Sequence, residues 1–65
     1  MKKTVLVDFY SESNIKDNNI IVVKPRGFNK DNDTVDVRQY IIELAVQQLL
    51  DKGEIVEGNF EVQVY

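Results

Sequence analysis

The side chains of this chain that could do chemistry are carboxylates, a small group of cations and a few hydroxyls. Its 65 residues include 11 Asp and Glu and 8 Lys and Arg, with neither His nor Cys. Histidine general bases, thiol nucleophiles, disulfides, zinc fingers and the commonest transition-metal ligands are therefore excluded together. Ser11 and Ser13 have no histidine to activate them, and the carboxylates sit at positions where nothing in the pattern would desolvate them. The reading is of a protein that is not an enzyme and carries no cofactor.

Two short stretches invite a more specific chemistry. "DNDTVD" (31–36) resembles a calcium loop, but a frame begun at Asn32 takes Thr34, Asp36 and Glu43 as further ligands and puts Val37 where the turn requires glycine. No metal site is assigned. "KPRGFNK" (24–30) places Lys24, Arg26 and Lys30 around Gly27 and Phe28, the residue types that could hold a phosphate and stack on a base. It lacks the glycine count of a nucleotide loop, and Asp31 and Asp33 follow at once to cancel its field.

A third pattern is acidic. Asp36, Glu43 and Asp51 recur on one side of a predicted helix with Tyr40 and Gln47, at intervals of about 10 to 12 Å given the 1.5 Å rise. Asp31 and Asp33 extend the row, and Glu54 and Glu57 lie beyond it. Its spacing is roughly two phosphate steps along a nucleic-acid strand, so a row of this kind could imitate DNA to a basic groove. The competing explanation is an ordinary solvated helix face. The formal charge of −3 repels nucleic acid and anionic lipid and favours a cationic partner.

The elements that must position these residues follow from periodicity. Val5, Val7 and Phe9 alternate with Thr4, Leu6, Asp8 and Tyr10, the pattern of a strand. "SESNIKDNN" (11–19) reads as a long hairpin loop before a second strand from Ile20 to about Lys24, ended by Pro25 and the turn at Gly27. Asp33 or Thr34 caps a helix that runs to about Lys52 and stops at Gly53. "NFEVQVY" is a third strand. The expected fold is one α+β domain over residues 1–65, ordered β-β-α-β. It has a three-stranded antiparallel sheet with the first strand in the middle and the helix on one face.

So small a chain gains from sharing its core, and the pattern offers surfaces for that. Val37, Ile41, Ile42, Leu44, Ala45 and Leu49 form the helix stripe toward the sheet, and Val46 and Leu50 widen it to about half the circumference. Val46 and Leu50 are read as a homodimer contact, unless the connection from Glu54 to Gly58 folds over them. Leu6, Tyr10, Val22 and Tyr65 would lie on the open sheet face, and the second strand offers a free edge. The apolar runs are too short for a membrane span, and the N-terminus reads as a strand rather than a signal peptide, so a cytoplasmic protein is expected.

Elimination of catalytic groups and surplus surface point to a small acidic protein–protein interaction module, an inhibitor or adaptor. In its narrowest form it is a DNA mimic that occludes a basic surface of a DNA-binding protein. Small size, absence of cysteine and a lone α+β module are also what small phage-encoded inhibitors of host machinery show, an analogy of composition with no matching motif. The alternative is a single-stranded nucleic-acid binder using the open sheet face and residues 24–30, against which the net charge argues.

Overall fold

A computed structural model of the chain describes residues 2–65. Its elements run β1 (Lys3–Val7), β2 (Ile20–Val23), a single 3-10 turn (Lys30–Asn32), α1 (Val35–Asp51) and β3 (Phe60–Val64). The sheet order is β2-β1-β3, with β1 in the centre as expected. Both pairings are parallel, however, with Val5 beside Ile21 and Val62, and Val7 beside Val23 and Val64. The antiparallel expectation is thus corrected throughout the sheet.

The physical reason lies in residues 8–19. A tight hairpin uses two to five residues, whereas a parallel return needs about a dozen. At about 3.3 Å per residue, twelve residues reach well beyond the length of a five-residue strand. The segment leaves the C-terminal end of β1 and arrives at the N-terminal end of β2. There an Asx turn at Asp17, whose Oδ1 accepts the Asn19 amide at 2.8 Å, sets up the bond from Thr4 N to Asn19 O at 2.8 Å. Since α1 links β2 and β3 as a crossover, β3 follows β2 in direction, so this one connection decides both pairings.

One face of the sheet carries the core. Val5 and Val7 are fully buried and cluster with the buried Phe9, Leu49 and Ile55, and Ile21, Val23, Ile41, Ile42 and Phe60 pack around them. Complete burial of each valine is worth about 1.5 to 3 kcal/mol. Thr34 caps α1, its Oγ1 accepting the Val37 amide at 3.1 Å. At the other end Glu54 N donates to Leu49 O at 3.0 Å and Gly53 N to Leu50 O at 3.0 Å, with Gly53 at φ 76°. This Schellman turn needs the left-handed conformation that glycine adopts without cost, and it delivers Ile55 into the core. Val46 and Leu50 are half-buried and pack against the same cluster as Ile55.

The opposite face is not open as expected. Leu6 is only 5 % exposed there, although side-chain alternation turns it away from the helix. The return segment begins over that face, with Ser13 buried and its carbonyl accepting the Lys24 ammonium at 2.9 Å. Among the described residues no helix is long and apolar enough to cross a membrane.

The parallel register makes a direct NMR prediction. Methyl contacts of Val7 should be found to both Val23 and Val64. An antiparallel third strand would instead bring Phe60 opposite Val7, and that contact in place of Val7–Val64 would overturn the topology.

Candidate functional site

In open sheets with parallel strands, ligands and partners meet the chain beyond the C-terminal strand ends. Here that end gathers residues 8–13 after β1, residues 24–28 after β2 and the first turn of α1. Asp8 is fully buried at its centre. Its Oδ2 accepts the Ser13 amide at 2.8 Å and its Oδ1 the Glu12 amide at 3.2 Å. Ser11 takes φ 55° as the backbone curls around the carboxylate. Burial pushes the Asp8 carboxyl up, but the amides of Ser13, Glu12 and Ser11 and the charge of Lys24 outweigh it, and the net shift is downward. With its acceptors engaged and its ionised form favoured, Asp8 is a structural anchor, not a poised acid.

Beside it lies a second cluster. Arg38 clasps Asp33 in a two-pronged ion pair, Nε to Oδ1 at 2.6 Å and Nη2 to Oδ2 at 2.9 Å. The Tyr10 hydroxyl donates to Asp33 Oδ2 at 2.6 Å. The Arg38 guanidinium also lies 4.7 Å from the Phe9 ring centre and 5.5 Å from that of Phe28. Phe28 in turn packs 4.6 Å from Phe9 and edge-on to Tyr10 at 5.4 Å. Arg38 first, and then Tyr10, hold the Asp33 carboxyl down at about 2. The bond to Asp33 raises the Tyr10 hydroxyl, and the same carboxylate raises Arg38. These shifts favour the charge state each group already has at neutral pH, so the cluster fastens the 24–34 loop to the end of β1 and has no proton ready to move.

The sequence-derived sites are distributed as follows. Of the acidic row, Asp31, Asp36, Glu43 and Asp51 are exposed, while Asp33 is half-buried and neutralised by Arg38. Asp51 accepts the Gln47 amide at 2.9 Å. Of the sheet-face group, Leu6 is buried, Val22 is half-buried, and Tyr10 lies beyond the strand against Phe28. Tyr65 is exposed at the end of β3. Phe28, offered by its position for base stacking, has its ring engaged with Phe9 and Tyr10. Among the described residues no group of three or more Asp and Glu is placed to hold a metal ion.

Two surfaces emerge that periodicity did not assign. A groove of about 400 Å³ runs between the end of β2 and α1, lined by the apolar Val23, Pro25, Ile41, Leu44 and Ala45 and by Lys24, Arg26 and Gln48. Leu44, expected to face the sheet, is 44 % exposed, and Tyr40 is 65 % exposed near it on the helix. The role of Arg38 was also unassigned: a lone cation on a helix start otherwise rich in acids was the available signal. No protein family, curated protein or solved structure matches the chain.

Carboxyl titration by NMR tests the Tyr10–Asp33–Arg38 cluster. The Asp33 midpoint should lie near 2 in the parent, higher in Tyr10→Phe and higher still in Arg38→Gln, because Arg38 is the larger cause. A depressed folded pKa stabilises the fold above the unfolded value of about 3.9. That stabilisation is lost as pH falls from about 4 toward 2, and Arg38→Gln should flatten this part of the stability curve. An Asp33 midpoint unmoved in both variants would contradict the assignment.

Proposed function

We propose that the protein is a non-enzymatic interaction module that acts by covering the surface of a partner protein with the outer face of α1. One observation carries the reading: this face presents exposed Tyr40 and Leu44 beside Asp36, Glu43 and Asp51, and none of the three carboxylates is in an ion pair among the described residues. Tyrosine and leucine supply apolar contact area, and unneutralised carboxylates on a chain of charge −3 attract a basic surface and speed encounter with it. A basic surface that otherwise holds DNA is the narrower form of the proposal. It stands on Asp31, Asp36, Glu43 and Asp51, since Asp33 is committed to Arg38. Nucleic-acid binding through the sheet is less well supported, because Leu6 and the Phe28 ring are both covered.

Affinity capture from lysate followed by binding kinetics tests the proposal. The captured protein should be basic, and an Asp36→Lys, Glu43→Lys double variant should associate more slowly at low salt with a smaller change in dissociation. Equal association rates, or an acidic captured protein, would count against the charged face. Steady turnover of a nucleotide, peptide or ester that disappears in Asp33→Asn would overturn the non-enzymatic reading.

A further inference from the structure

β3 is an edge strand of the sheet and is exposed along most of its length. Val62 is 37 % and Val64 50 % exposed, although both stand on the helix side of the sheet next to the buried Val5 and Val7. α1 therefore leaves the outer part of that face uncovered. The backbone is equally unguarded. Tyr65 N donates to Val7 O at 2.9 Å, and Tyr65 O accepts from Phe9 N at 3.4 Å, so the peptide groups of Tyr65 point inward to β1. Alternation along the strand then turns those of Glu61 and Gln63 inward as well, and sends the N–H and C=O groups of Phe60, Val62 and Val64 out to the free edge. Natural edges are blunted by lysine, proline, bulges or covering segments. The β2 edge has Lys24 and Pro25 at its end; "FEVQV" has a single charge, Glu61, and no lysine, proline or bulge.

We propose that β3 is a self-pairing edge, and that two copies of the chain join their β3 strands antiparallel about a two-fold axis through Val62 to form a continuous six-stranded sheet. The register follows from the residues. With Val62 on the axis, Phe60 faces Val64 of the other copy and Val62 faces its own counterpart. All three outward-pointing residues then exchange hydrogen bonds in pairs, and their apolar side chains meet on the helix side. On the other side Glu61 faces Gln63 of the second copy, a carboxylate opposite an amide that can donate to it. An axis through Glu61 would oppose two carboxylates, and an axis through Gln63 would leave Phe60 without a facing residue in the strand. Pairing β3 with the β2 edge of another copy would be head-to-tail, giving a ring or a filament instead of a two-fold pair. The dimer contact is thus on β3, whereas Val46 and Leu50 are occupied within the monomer.

Sedimentation over a micromolar to millimolar series, with isotope-filtered NMR on a mixture of labelled and unlabelled chains, tests the pairing. The parent should dimerise and show Val62–Val62 and Phe60–Val64 contacts between copies. Gln63→Lys, which sets a cation opposite Glu61 twice per dimer, should tighten the dimer by about fivefold, and Gln63→Glu should loosen it by a similar factor. Both changes are at an exposed position and leave the monomer core intact. A chain monomeric throughout, intermolecular contacts at β2 or α1, or Gln63→Lys failing to tighten the dimer would each overturn the proposal.

Discussion

The ring of backbone amides closed around the buried Asp8 carboxylate is the interaction on which the rest of this fold depends. A parallel sheet of three strands needs the chain to come back after β1, and residues 8–19 do so without a helix. The carboxylate turns the backbone at Glu12 and Ser13, and Lys24 ties the turn to the end of β2 through the Ser13 carbonyl. Burying an ion costs free energy unless its acceptors are met, and here no buried side-chain N or O among the described residues lacks a partner. On the face turned away from α1, Leu6, Asp8 and Ser13 are buried.

From this anchor the remaining geometry follows. Asp8 N bonds to Val23 O at 2.8 Å, which places Lys24 next to Asp8 and starts the loop that carries Phe28 and Asp33 back over Phe9 and Tyr10. The Asp33–Arg38 pair then fixes the start of α1 at the strand ends. α1 runs back along the sheet, its C-terminal turn inserts Ile55, and β3 enters beside β1. The apolar cover falls on β1 and β2, which leaves Val62 and Val64 of β3 and Tyr40 and Leu44 of α1 exposed.

Much of this was legible in the residues. Val–Leu–Val before Asp8, Ile–Ile–Val–Val before Lys24 and the alternating Phe60, Val62 and Val64 located the three strands, and Thr34 and Gly53 bounded the helix. Strand direction was not legible through periodicity, because a polar run of this length serves a loose hairpin or a return leg equally well. A subtler signal was present. The apolar runs of β1 and β2 are continuous rather than alternating, which suits a parallel sheet, and they end in residues of opposite charge, Asp8 and Lys24, that the parallel register sets side by side. Of the candidate site, the exposed carboxylates of α1 could be placed from the helical period. The neutralisation of Asp33 could not, since it depends on Arg38 and on Tyr10, twenty-three residues away in sequence.

Native-state hydrogen exchange tests the central claim most directly, because it reads the stability of individual amides in the intact protein. If the Asp8 carboxylate anchors the return of the chain, the Ser13 amide will be protected as strongly as the amides of β1 and will open only with global unfolding. Exchange of Ser13 at the rate of an exposed loop, while β1 stays protected, would contradict the account and leave the parallel sheet to be explained by something other than Asp8.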